Sequence, residues 1–101
     1  METFRQRGGA RIGGKSRIAR FNLTWPFVTL TADAHKIRLG GFLCYELPKS
    51  RLVRLSAYSG ALNRGLRMEH TVPEVPAFIV FWTFDYERLA ANLRHIGYVV
   101  D

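Results

Sequence analysis

The chain has 101 residues, 48% hydrophobic and 23% charged, with nine Gly and four Pro, the size and balance of one globular domain with no room for a second. Its single cysteine, Cys44, excludes an internal disulfide and a multi-thiolate metal site and points to a reducing compartment. Fifteen Lys and Arg against eight Asp and Glu leave a net charge of +7, which directs attention to anionic partners.

That charge is uneven. Residues 1–24 hold Arg5, Arg7, Arg11, Lys15, Arg17 and Arg20 against Glu2 alone, whereas residues 25–101 hold nine basic and seven acidic residues. Gly8, Gly9, Gly13 and Gly14 interrupt the first arginines, so residues 1–15 read as a flexible basic arm and 16–101 as the domain. No segment reaches the roughly 18–20 apolar residues of a membrane-spanning helix, and the basic N-terminus leads into no apolar signal-type segment. The expectation is a cytoplasmic protein, peripheral at the inner membrane surface if lipid is its partner.

From Ser16 the hydrophobic period is two, with turn residues every eight to twelve positions, the pattern of an antiparallel β domain. The predicted strands are 16–23, then 27–32 after a break at Trp25-Pro26, then 35–39 with His35, Ile37 and Leu39 opposite Lys36 and Arg38. Gly40-Gly41 turns the chain into 42–47, closed by Pro48, and 51–58 follows. Residues 59–65 form a hairpin loop and 65–71 a sixth strand, with Leu66, Met68 and His70 on one face. Val72-Pro73-Glu74-Val75-Pro76 cannot lie inside a central strand, and 77–84, apolar on both faces, is the seventh. Asp85 is an N-cap for an amphipathic helix through Tyr86, Leu89, Ala90, Leu93 and Ile96, with Arg94 and His95 in its last turn and Gly97 as its stop.

Seven antiparallel strands followed by one helix, with the segments WPF (25–27), TLTAD (29–33), Arg54-Leu55 and IVFWTF (79–84) and a closing Gly97-Tyr98, resemble the pleckstrin-homology-like superfold and its small bacterial members over about 16–100. The resemblance implies a mainly β, seven-stranded bent barrel or sandwich capped by a C-terminal helix. It also implies a binding scaffold that recognises phosphoinositides, peptides or proteins on loops at its open end. Members that bind phosphoinositides carry a lysine late in the first strand and a basic-x-Arg pair opening the second. Here the 22–26 connector has no basic residue, and Lys36-Ile37-Arg38 carries that look on the third predicted strand.

No catalytic constellation emerges. His35, His70 and His95 lack metal-ligand spacing, Cys44 sits in an apolar run, and no cofactor is expected. Glu69 and Glu74 are a pair of carboxylates close to a histidine in sequence, and both read as solvated. GGARIGG (8–14) has the look of a phosphate loop but lacks the preceding strand and following helix. Phe78, Phe81, Trp82, Phe84, Tyr86 and Trp25 read as core rather than as a stacking platform. The expected function is non-catalytic binding of an anionic membrane surface or a protein through Lys15, Arg17, Arg20, Lys36 and Arg38. A small basic nucleic-acid-binding protein is the alternative. Strand four or five, if at a sheet edge, offers a route to a homo-oligomer.

Overall fold

A computed structural model describes residues 3–13, 20–42, 44–59 and 64–101. The strands are β1 (Phe4–Gly13), β2 (Arg20–Ala32), β3 (Lys36–Gly41), β4 (Tyr45–Pro48), β5 (Leu52–Ser59), β6 (Arg64–His70) and β7 (Phe78–Thr83). A 3₁₀ turn (Lys49–Arg51) precedes β5, and a single helix, α1 (Tyr86–His95), follows β7. All pairings are antiparallel, in the order β4-β3-β2-β1-β7-β6-β5, so the sheet curls into a half-barrel with β4 and β5 at its edges. The anticipated seven-stranded sheet with a C-terminal helix is the architecture observed, and runs four and five are its edges.

The strand count is right for a different reason than the sequence implied. Two predicted strands, 16–23 and 27–32, belong to one strand, β2, over the residues described. The segment assigned to a flexible arm supplies the seventh: residues 4–13 form β1, the middle strand, paired with β2 on one side and β7 on the other. Close packing requires the glycine at position 8. A Cβ on Gly8 would overlap the Trp82 carbonyl and lie 2.7 Å from Phe81 Cζ, so glycine is what lets Phe81 fill the barrel there. Lys15 and the rest of 14–19 lie outside the described residues.

Alternation along each strand decides what lies inside. Ile12, Leu30, Ile37, Leu39, Leu47, Leu66, Met68, Ile79 and Phe81 fill the concave side and are almost wholly buried. Tyr86, Leu89, Ala90 and Leu93 of α1, with Tyr98 and Val100 after it, close that core. The helix starts where capping chemistry places it: Asp85 accepts the Arg88 N–H at 3.1 Å, and Glu87 sits in the first turn. It ends at Gly97, whose φ of +105° reverses the chain at little steric cost.

Side chains close the turns. Asp33 accepts the N–H groups of His35 (2.7 Å) and Lys36 (3.0 Å), and these bonds hold its carboxyl below the usual carboxylate range. The Tyr98 hydroxyl, pushed up to about 12 by burial, donates to the Asp33 carbonyl at 2.7 Å. His70 Nδ1 accepts the Val72 N–H (3.0 Å), which leaves Nε2–H to donate to the Pro76 carbonyl (2.9 Å), so one imidazole ties both ends of the proline-rich connector.

Candidate binding face

The convex side of the sheet carries what the core does not. On β1, Arg5 and Arg7 are exposed, and in register Arg5 faces Thr31, which faces Arg38 on β3. One row along, Arg7 faces Thr29, which faces Gly40. Cross-strand partners share a face, so three guanidinium side chains rise around a low floor of Thr29, Thr31 and Gly40. A Cβ on Gly40 would meet only the Thr29 carbonyl, at 4.0 Å, which confirms that the floor is open. Among the described residues the side chains of Arg5, Arg7 and Arg38 form no hydrogen bond or ion pair.

Of the residues singled out from sequence, the structure brings two to this face. Lys36 and Arg38 both point outward from β3, but Lys36 is held by Glu46 on β4 at 3.2 Å. Arg20 opens β2 opposite Gly13. Lys15 and Arg17 lie outside the described residues, in the 14–19 connection between β1 and β2, which is the first-to-second connection that the sequence reading had placed at 22–26. The unanticipated members are Arg5 and Arg7, misassigned because the glycines around them were read as loosening the chain.

The aromatic residues were also misplaced. Phe81 and Tyr86 are core, whereas Trp25 is 53% exposed and Phe84 76%. Phe78, Val80 and Trp82 occupy the outward positions of β7, where Tyr58 of β5 packs edge-on against Phe78 and Trp82 at 5.7 Å each, and Arg67 lies over Phe78 at 5.4 Å. Sequence carries a signal for this: Phe78, Val80, Trp82 and Phe84 recur at steps of two, opposite Ile79, Phe81 and Thr83.

A second aromatic group borders the arginines. Between Leu23, opposite Ala10, and Val28, opposite Gly8, residues 24–27 of β2 stand against the single Gly9 and form an arch. Trp25 reaches from this arch to Phe84, 6.0 Å between ring centroids, although β2 and β7 lie on opposite sides of β1. Between the two strands, the β1 residue opposite both the arch and Trp82 is Gly9, which carries no side chain. Phe27 packs edge-on against Phe42 at 5.2 Å, and the Phe42 N–H donates to the Phe27 carbonyl at 3.2 Å. Gly41, at φ +95°, makes the close turn that seats Phe42 there.

Elsewhere, an open depression of about 240 Å³ beside β5 is lined by Lys49, Leu52, Arg54 and Tyr98, with Arg54 paired to Asp101 at 2.7 Å. Among the described residues no three His, Cys, Asp or Glu side chains converge on a common point, and Cys44 is exposed rather than sheathed in the sheet. Among the described residues no helix is long and apolar enough to cross a membrane. No protein-family model, curated protein or solved structure matches this chain.

Proposed function

We propose that this chain is a pleckstrin-homology-like, non-catalytic binding module that docks on an anionic membrane surface. The observation that carries the reading is the set of three arginines, Arg5, Arg7 and Arg38, whose side chains form no ion pair among the described residues, around the floor of Thr29, Thr31 and Gly40. Glu46, opposite Arg38 in register, is held by Lys36 at 3.2 Å, so Arg5, Arg7, Lys36 and Arg38 together outnumber that one carboxylate, and the excess creates a field that favours a surface of negative charge. In sequence, Lys15 and Arg17 stand between β1 and β2, and Arg20 opens β2, which adds basic residues between the same two strands.

The test uses the full chain and sedimentation with vesicles of three parts phosphatidylcholine to one part phosphatidylglycerol. Each cation near such a surface contributes about 1 kcal/mol, so replacing Arg5, Arg7 and Arg38 by Gln lowers partitioning by about 100-fold, and added salt lowers it in the parent chain. Equal binding to pure phosphatidylcholine, or no loss in the triple variant, overturns the reading. Capture of single-stranded DNA with steep salt dependence, and none of vesicles, replaces it with the nucleic-acid alternative.

A further inference from the structure

We infer that the β2 arch is a membrane-insertion wedge: Trp25 and Phe27, backed by Phe84 and Phe42, enter the boundary between lipid headgroups and acyl chains while Arg5, Arg7 and Arg38 remain among the headgroups. This inference rests on the membrane reading above and specifies how deeply, and through which side chains, the module engages.

Four large apolar side chains at 46–76% exposure are a concentration of apolar surface that water disfavours and that a monomeric soluble domain seldom carries in one place. They are held in place: Trp25 against Phe84 through an edge-on ring contact, and Phe27 against Phe42 through ring contact and the Phe42 N–H bond. A preformed apolar ridge needs little ordering on binding. Its occupant follows from the neighbouring charge. Arg7 rises from the row next to Phe27 and Phe42, and Arg5 and Arg38 from the row beyond it, so the face presents rings beside guanidiniums, matching an interface of acyl chains beneath anionic headgroups. The rings pack edge to face on one another, which suits joint burial better than stacking of separate bases.

The full chain carrying Trp82→Phe makes Trp25 the sole tryptophan, and the same anionic vesicles serve as probe. On binding, Trp25 emission shifts to shorter wavelength, and lipids brominated near the headgroup end of the acyl chain quench it more than lipids brominated near the bilayer centre. Phe42→Ser with Phe84→Ser lowers partitioning by about tenfold or more, since the two rings lose their apolar contact while every cation stays. Both side chains are more than 70% exposed, so this variant keeps the parent's circular dichroism and melting curve. If it does not fold, depth quenching in the parent decides alone. Vesicle binding with unshifted, unquenched Trp25, or with the double serine variant binding like its parent, overturns the wedge and leaves the membrane reading standing. Absence of binding by the parent chain overturns both.

Discussion

Two glycines on the convex face make opposite predictions when a single methyl group is added. At Gly65 on β6 the new Cβ would stand 2.6 Å from Val80 Cγ1, 2.9 Å from the Phe81 carbonyl and 3.0 Å from Trp82 Cε3. One of these neighbours is backbone of the paired strand β7, and Val80 is fully buried, so relief requires β6 and β7 to part. Overpacking of this kind costs about 1–3 kcal/mol. For a chain of this length each kcal/mol moves the midpoint by about 4–8 °C, so Gly65→Ala melts roughly 5–20 °C below the parent. At Gly40 the added Cβ meets only the Thr29 carbonyl at 4.0 Å, and the lost freedom of the unfolded chain raises stability by about 0.4–1 kcal/mol. Thermal and urea unfolding followed by circular dichroism measure both. Val80→Ala removes the nearest obstacle, so Gly65→Ala costs less in that background, and a double-mutant cycle reads the coupling. If Gly65→Ala melts with the parent, or if its cost is unchanged without the Val80 methyls, the packing of β7's outward residues over β6 is wrong, and the aromatic face with it.

The remaining predictions concern single polar groups. Tyr98→Phe loses the bond to the Asp33 carbonyl and about 1 kcal/mol, whereas Tyr86→Phe removes a buried hydroxyl without a partner among the described residues and leaves stability equal or higher. Because folding raises the Tyr98 hydroxyl to about 12 from an unfolded value near 10, its contribution is complete below pH 10 and is lost as pH rises toward 12. Melting points across that window therefore fall more for the parent than for Tyr98→Phe, and parallel curves would contradict the assignment. His70→Ala frees both ends of the 72–76 connector and costs about 1–3 kcal/mol in urea unfolding, with faster amide exchange at Val72. Asp85→Ala removes the helix cap and about 1 kcal/mol, while Asp85→Asn, which can still accept the Arg88 N–H, retains most of it.

What could be read from the chain alone divides by the range of the interaction. The helix from Asp85 to the Gly97 stop was legible because its cap, its period and its terminating glycine are all local. Strands β3, β5, β6 and β7 were legible from alternation and turn residues. β1 was not: Gly8 is there because Phe81, from the far end of the chain, occupies the space a side chain would take, and no neighbouring residue announces that. The same error hid the candidate site, since Arg5 and Arg7 were assigned to a tail rather than to the sheet face they share with Arg38. Reading 77–84 as apolar on both faces was correct, but its outward residues are covered by Tyr58 and Arg67 rather than by a second layer. Trp25 and Phe84 look like core in a list of residue types, and only the arch across β1 brings them to the surface together.

The central position of β1 also bears on how the chain reaches its fold. β2, β3 and β4 can pair with β1 and one another as soon as they are made, and β5 with β6, because hairpin contacts are local. β1 with β7 cannot: the Thr83 hydroxyl meets Gln6 across 77 positions of sequence, and no other strand joins the two halves of the sheet. Closing that seam is the high-contact-order step expected to limit the folding rate, and until it closes, β1 offers an unpaired edge to any other strand nearby. Refolding should therefore slow when the β1–β7 seam is weakened and respond little to changes in the β3–β4 hairpin. At high concentration, association of unfinished chains through that open edge is the competing reaction.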